Sequence, residues 1–190
     1  KRIMSKGVLN IQTKRMDQIL KQFGSIGGKV PLALSRALNR SSQTARAEAV
    51  RQVRDQYTAK AKTVRDTIKI TKANPNHLQA KITSIGSPLR LYNFKVSPKR
   101  PSPKRTTPIN VEVKKGSSKS LPGAFVASVR NGNTGVFSRV SDARLPIKQL
   151  YGPAVPIMMN NEDVVSAVTE KAQNTLENRI GHEINRILGV

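Results

Sequence analysis

His77 and His182 are the only imidazoles in the 190 residues, and imidazole is the side chain best suited to proton transfer or metal ligation near neutral pH. Neither has a partner at metal-ligand spacing: His77 follows Asn74-Pro75-Asn76 in a turn, and His182 lies beside Glu183 near the end of a helical stretch. Both read as solvated or structural side chains. Glu162-Asp163 is the only adjacent acidic pair, and it falls where a helix begins, a place the helix dipole already favours for carboxylates. Gly24-Ser25-Ile26-Gly27-Gly28-Lys29 invites a phosphate-loop reading. That motif needs a Gly, four residues, then Gly-Lys-Ser/Thr after a strand, whereas Val30-Pro31 follows this lysine; a helix end and turn fits better. There is no cysteine, which removes a disulfide scaffold, a thiolate zinc site and a cysteine nucleophile together. The sequence is therefore read as non-enzymatic, without metal, cofactor or small-molecule substrate.

What remains as chemistry is positive charge. Ser97-Pro98-Lys99-Arg100-Pro101-Ser102-Pro103-Lys104-Arg105-Thr106-Thr107-Pro108 contains Ser-Pro-Lys-Arg twice at a five-residue period, with four of the 11 prolines in these twelve positions. Proline at this density forbids helix and favours extended backbone at about 3.1 Å per residue, so the loop can project its tip roughly 20 Å. Two readings of this arm stand side by side: a solvated basic loop, and a non-specific DNA contact through Lys99, Arg100, Lys104 and Arg105. Basic Ser-Pro repeats resemble the minor-groove tails of chromosomal proteins. The arm has no aromatic side chain on which a base could stack, so any contact is to backbone phosphate and salt-dependent.

The chain carries 34 Lys and Arg against 11 Asp and Glu, a formal +23. Residues 1–120 hold 27 basic and 5 acidic side chains, and residues 121–190 hold 7 and 6. The first two-thirds thus form an electropositive object and the last third an ordinary neutral surface, which points to a polyanion on one side and protein contacts on the other. No run approaches the roughly 18 apolar residues of a membrane span. The basic Lys1-Arg2-Ile3-Met4-Ser5-Lys6 has no apolar run behind it to make a signal peptide, so a soluble, non-secreted chain is expected, beginning at or just after a processed start.

Aromatic residues make up only 4% and hydrophobic residues 37%, so the core must be aliphatic. Met16, Ile19, Leu20 and Phe23 predict a first helix over about 11–23. From Pro31 to about Gln56 a second helix carries a narrow stripe of Leu34, Ala37, Leu38, Ala45, Ala49 and Val53, with Arg36, Arg40, Arg51 and Arg54 elsewhere. Pro31 suits a first helical turn. Thr58 is expected to cap a short helix with Ala61, Val64 and Ile68 inward and Lys60, Lys62, Arg65 and Lys69 outward. Period-two patterns at Leu78–Ile85 and Ile109–Val113, anchors at Leu91, Tyr92 and Phe94, and a hairpin across Asn131-Gly132 predict a central antiparallel sheet. Asn160 or Asn161 then caps a last helix with Val165, Val168, Ala172, Leu176, Ile180, Ile184, Ile187 and Leu188 along one stripe. Such a helix packs on a sheet or a sister subunit.

The fold class expected is α+β: N-terminal helices, a central antiparallel sheet with a projecting basic Pro-rich loop, and a long C-terminal helix. One domain over 1–190 would comprise a basic helical region 1–72, a sheet region 78–157 with its arm at 97–108, and the helix 160–188.

Leu121-Pro122-Gly123-Ala124-Phe125-Val126, Val129-Arg130-Asn131-Gly132, Val136-Phe137-Ser138-Arg139-Val140, Leu145-Pro146-Ile147 and Gly152-Pro153-Ala154-Val155-Pro156 resemble, in order, the pattern of the minor tail protein Z family of lambda-like tailed phages. The resemblance extends to Ala37-Leu38-Asn39-Arg40. It implies a virion protein of the tail and neck, assembled in the host cytoplasm, that completes the head-proximal end of the tail. A homo-oligomeric ring would meet tail-terminator and head-completion or portal-side proteins, with double-stranded DNA in its channel. No catalytic residue comes with the resemblance. Gly123, Gly132 and Pro146 are expected to set turns or close backbone approaches, Phe125 and Phe137 to fill the sheet's core, and Arg139 belongs to the same motif. The competing class is a ribosomal- or nucleoid-type basic protein, which would be monomeric away from its nucleic acid where a neck subunit would close into a ring.

Overall fold

The structure is a computed structural model that describes residues 5–11, 21, 29–102, 107–129 and 132–189. Its elements run β1 (Ser5–Ile11), α1 (Lys29–Gln56), α2 (Ala61–Thr67), β2 (Ile68–Thr71), β3 (Ala80–Gly86), β4 (Lys95–Ser97), β5 (Ile109–Glu112), β6 (Ser118–Leu121), β7 (Ala124–Ser128), β8 (Thr134–Arg139), β9 (Ile147–Gln149), α3 (Val155–Met159) and α4 (Glu162–Leu188), with a 3-10 turn at Leu91–Asn93 before β4. This is an α+β chain with helices toward the N-terminus, antiparallel sheets, and a long C-terminal helix.

The two long helices form its spine. On α1, Ala33, Ala37, Ser41, Ala45, Ala49 and Val53 recur every four residues and are buried; on α4, Val164, Val168, Ala172, Leu176 and Ile180 do the same. Rows at this spacing are the ridges by which two helices interlock. Small side chains on α1 let the backbones come close, and Ser41 Oγ donates to the Ala172 carbonyl at 2.6 Å, from one helix's side chain to the other's main chain. Arg36 meets Glu183 at 3.9 Å, so as α1 runs from 36 to 41 its contact on α4 runs back from 183 to 172. The helices are antiparallel. Asn161 is the cap of α4, its side chain accepting the Asp163 N–H at 3.1 Å.

Among the described residues nine strands make three separate three-stranded antiparallel sheets, ordered β1-β3-β2, β4-β5-β6 and β7-β8-β9, in place of the single sheet expected. In the first, Ala80, Ile82 and Ser84 of β3 and Ile68 of β2 face the core. The short helix α3 lies on β1 and β3. Gly7 permits that contact, because a Cβ there would stand 3.1 Å from Asn160 Oδ1 and 3.6 Å from the Pro156 carbonyl. The second sheet is tied to the end of α1 by Lys115 N–H to Gln56 O (2.8 Å) and Thr58 N–H to Val113 O (3.0 Å). The third is tied to the segment before β4 by Gly152 N–H to Leu89 O (2.8 Å) and Leu91 N–H to Leu150 O (3.1 Å).

Three expectations are corrected. Ile11 ends a strand that pairs along β3 from Ser5↔Gly86 to Ile11↔Ala80, so the chain is extended where the first helix was to begin; Lys21 is helical, and the rest of that helix and the glycine run 24–28 lie outside the described residues. Thr58 caps nothing. Lys60 is the N-cap of α2 and makes no side-chain cap bond, while Thr58 Oγ1 donates to the Glu112 carbonyl and accepts the Lys95 N–H. Ile68 opens β2 instead of lying in the helix, because its buried side chain pairs across to Ser84 on β3.

Candidate nucleic-acid interface

Most basic side chains of the first two sheets and of α1 and α2 point outward. Arg36, Arg40, Arg51 and Arg54 are exposed along α1, Lys60, Lys62 and Arg65 along α2, and Lys114, Lys115 and Lys119 around the β5–β6 turn. Helical periodicity explains the first seven: the face opposite a buried stripe stays in water. Among the described residues only four ion pairs form, and those in the cationic part use Arg36 with Glu183, Arg51 with Glu48 (2.7 Å) and Lys95 with Glu112 (2.7 Å). Most of the positive charge therefore has no internal partner among the described residues, and its field is directed at solvent.

The neutralised sites are distinct in character. Glu48 is buried on α1, where Arg51 donates to both its oxygens and Gln52 adds a bond at 2.6 Å. The Arg51 guanidinium holds the Glu48 carboxyl below its ordinary value, against the opposing effect of burial. Glu112 is likewise lowered, first by the Lys95 ammonium and then by the Gly116 N–H at 3.0 Å.

Of the four arm cations, Lys99 and Arg100 follow β4 and are exposed, with no ion-pair partner among the described residues. Lys104 and Arg105 lie outside the described residues. The fold-motif residues divide. Gly123 and Gly132 both take φ of +72° in the turns before and after β7, a conformation that favours glycine. Phe137 is buried, but Phe125 opposite it is only half-buried, its ring centroid 6.3 Å from that of Phe137 and the Arg139 guanidinium 5.6 Å above it. Pro146 is exposed, its carbonyl accepting from Val140 N–H at 3.2 Å. On α4, Val168, Leu176 and Ile180 are buried and Ile184 and Ile187 partly so, whereas Val165 is 40% exposed and Val164 occupies the buried position. His77 closes an exposed turn on Asn74, and His182, Glu162 and Asp163 are exposed on α4.

Two features escape a reading by stripe. Arg46, on the helix read for its alanine row, reaches the Arg65 carbonyl with Nη2 at 3.0 Å. Asn39 uses its whole amide on the main chain of Ala73. Asn39 lies within the Ala37–Arg40 stretch of the resemblance, but its neighbours Leu38 and Arg40 give no sign of a contact with Ala73, 34 residues away.

No described group of three or more His, Asp and Glu could hold a metal, and no helix is long and apolar enough to cross a membrane. A helix pair backed by small sheets, with charge held on its outside, makes up this α+β protein. The chain belongs to the prophage minor tail protein Z family, whose model matches residues 13–190. It is a structural component of a phage tail, and so of a virion. No curated protein and no solved structure matches it.

Proposed function

We propose that this chain is a tail-completion subunit at the head-proximal end of the tail, where it forms a ring at the neck and contacts genome DNA through backbone phosphates. Its role is architectural and its partners are copies of itself, the neighbouring tail-terminator and head-side proteins, and duplex DNA. The observation that carries this reading is the one-sided charge, +22 over residues 1–120 and +1 over residues 121–190, in a member of a tail-protein family.

Magnitudes limit how that charge is used. Duplex DNA carries one charge per roughly 1.7 Å, so a collar about 40 Å thick encloses about 24 phosphates. A single subunit at +23 nearly matches them. In a ring of several subunits most cations must therefore face acidic surfaces of adjacent virion rings, and only the arm and a limited part of the helical surface face the genome.

Gold-tagged antibody on purified virions tests the placement. Label confined to the head–tail junction is the expected result. Label along the tail tube or at its tip would overturn the neck position, and recovery on cellular nucleic acid instead of virions would favour a ribosomal- or nucleoid-type role.

A further inference from the structure

Between α1 and β2 runs a groove of about 570 Å³, walled by Asn39, Gln43 and Arg46 on the helix side and by Lys69, Ile70 and Lys72 on the strand side. No acidic residue among the described ones lines it. Neither Arg46, Lys69 nor Lys72 forms an ion pair among the described residues, whose four pairs all lie elsewhere. Of the acids nearest in sequence, Glu48 is held by Arg51, and Asp66 is exposed on α2 and is in none of those pairs. Among the described residues β2 is an edge strand, hydrogen-bonded to β3 on one side only, so the groove is open along its strand wall.

Arg46 is the distinctive member. Its Nη2 is fixed on the Arg65 carbonyl at 3.0 Å, which removes much of the rotational freedom of the guanidinium. Its Nε is buried and has no hydrogen-bond partner. An arginine held in one orientation by a single bond keeps its other terminal N–H groups for an anionic oxygen that enters the groove. Lys69 and Lys72 add two exposed ammonium groups three residues apart on the opposite wall.

We infer that this groove is a second phosphate-binding site, in which Arg46, Lys69 and Lys72 take successive backbone phosphates of duplex DNA. The inference rests on the reading that the chain contacts DNA. It assigns part of that contact to the folded body, apart from the Pro-rich arm. Ile70 and the amide-bearing wall offer no stacking surface, so the site holds phosphate without reading bases.

The test is binding of a 24-base-pair duplex to the full chain, followed by fluorescence anisotropy over a range of salt. Each phosphate contact contributes about 0.9 to the slope of log affinity against log salt. Lys69→Ser with Lys72→Ser, both at exposed positions and so leaving the fold intact, is expected to reduce that slope by about 1.8, and Lys69→Arg with Lys72→Arg to keep it at the wild-type value. A wild-type slope in the serine double variant, with DNA binding otherwise normal, overturns the groove and leaves the arm contact standing. Failure of the wild-type chain to bind the duplex at all overturns the DNA-contact reading itself, and the groove with it.

Discussion

Asn39 and Ala73 are joined by a pair of hydrogen bonds: Asn39 Nδ2 donates to the Ala73 carbonyl at 2.9 Å, and the Ala73 N–H donates to Asn39 Oδ1 at 2.8 Å. The side-chain amide thus does for Ala73 what a neighbouring strand would do. It fastens the chain leaving β2 to the flank of α1, 34 residues earlier, and so sets the separation between Arg46 and the Lys69–Lys72 wall. Asn39→Ala leaves a part-buried peptide group unpaired and is expected to cost about 1–3 kcal/mol. Asn39→Asp, which puts a carboxylate against the Ala73 carbonyl, should cost at least as much. Chemical denaturation of the two variants checks this, and stability within 0.5 kcal/mol of wild type (a threshold set at about the noise of surface substitutions) would count against the clamp.

How much of this was readable follows from which signals are local. The α1 stripe was legible because Ala37, Leu38, Ala45, Ala49 and Val53 repeat at helical spacing over many turns, and all are buried. β5 and the β7–β8 hairpin were legible from alternation and from Asn131-Gly132. β1 was not, because its outward Val8 is 45% exposed and its inward Gly7 has no side chain to register as apolar. Alternation also says nothing about pairing, so three sheets looked like one. Val164 and Val165 are adjacent and equally apolar, and only the packing of α4 on α1 separates them. Of the interface, the arm was visible as composition, whereas the Arg46 groove and the Asn39 clamp depend on residues distant in sequence and left no local trace.

Glycines provide a test of opposite signs. A Cβ on Gly152 would stand 2.7 Å from Phe94 Cε2 and 3.3 Å from Leu91 Cδ2, while one on Gly181 would meet nothing within 4 Å. Phe94 is among the largest fully buried side chains and has no room to retreat. Gly152→Ala is therefore expected to destabilise by about 1–3 kcal/mol. Gly181→Ala, at an exposed position inside α4, should stabilise by about 0.5–1 kcal/mol. Thermal melts showing both shifts in the same direction would contradict the packing around Gly152.

Acid should weaken the fold through two carboxylates. The Arg51 guanidinium lowers Glu48, and the Lys95 ammonium lowers Glu112, from the ordinary 4.5. Between the ordinary and the lowered values the unfolded chain binds more protons than the folded one, so stability falls as pH falls. The contribution is complete above about pH 4.5 and is lost as pH drops through the folded values. Urea midpoints are expected to decline across that interval, and Glu48→Gln should decline less steeply than wild type. Equal acid sensitivity in the two would remove Glu48 from the account.

The arm makes a separable prediction. Lys99 and Arg100 are exposed and unpaired by any described carboxylate, so replacing Lys99, Arg100, Lys104 and Arg105 with Ser should leave the thermal melt unchanged. If all four meet phosphate, the salt slope of duplex binding falls by about 3.6. An unchanged slope would assign the arm to another surface of the virion.

The terminal helix distinguishes packing from assembly. Ile180 is 8% exposed on the α4 row that meets α1, and Val165 is 40% exposed on the same helix. Ile180→Asp forces a carboxylate into the buried row between the two long helices and is expected to abolish cooperative folding. Val165→Asp changes an exposed position and should leave the isolated chain within about 0.5 kcal/mol of wild type. Its informative readout is therefore incorporation into particles. If α4 also serves as a contact between subunits, Val165→Asp will fold normally and enter virions poorly, whereas normal incorporation would confine the function of α4 to its packing on α1.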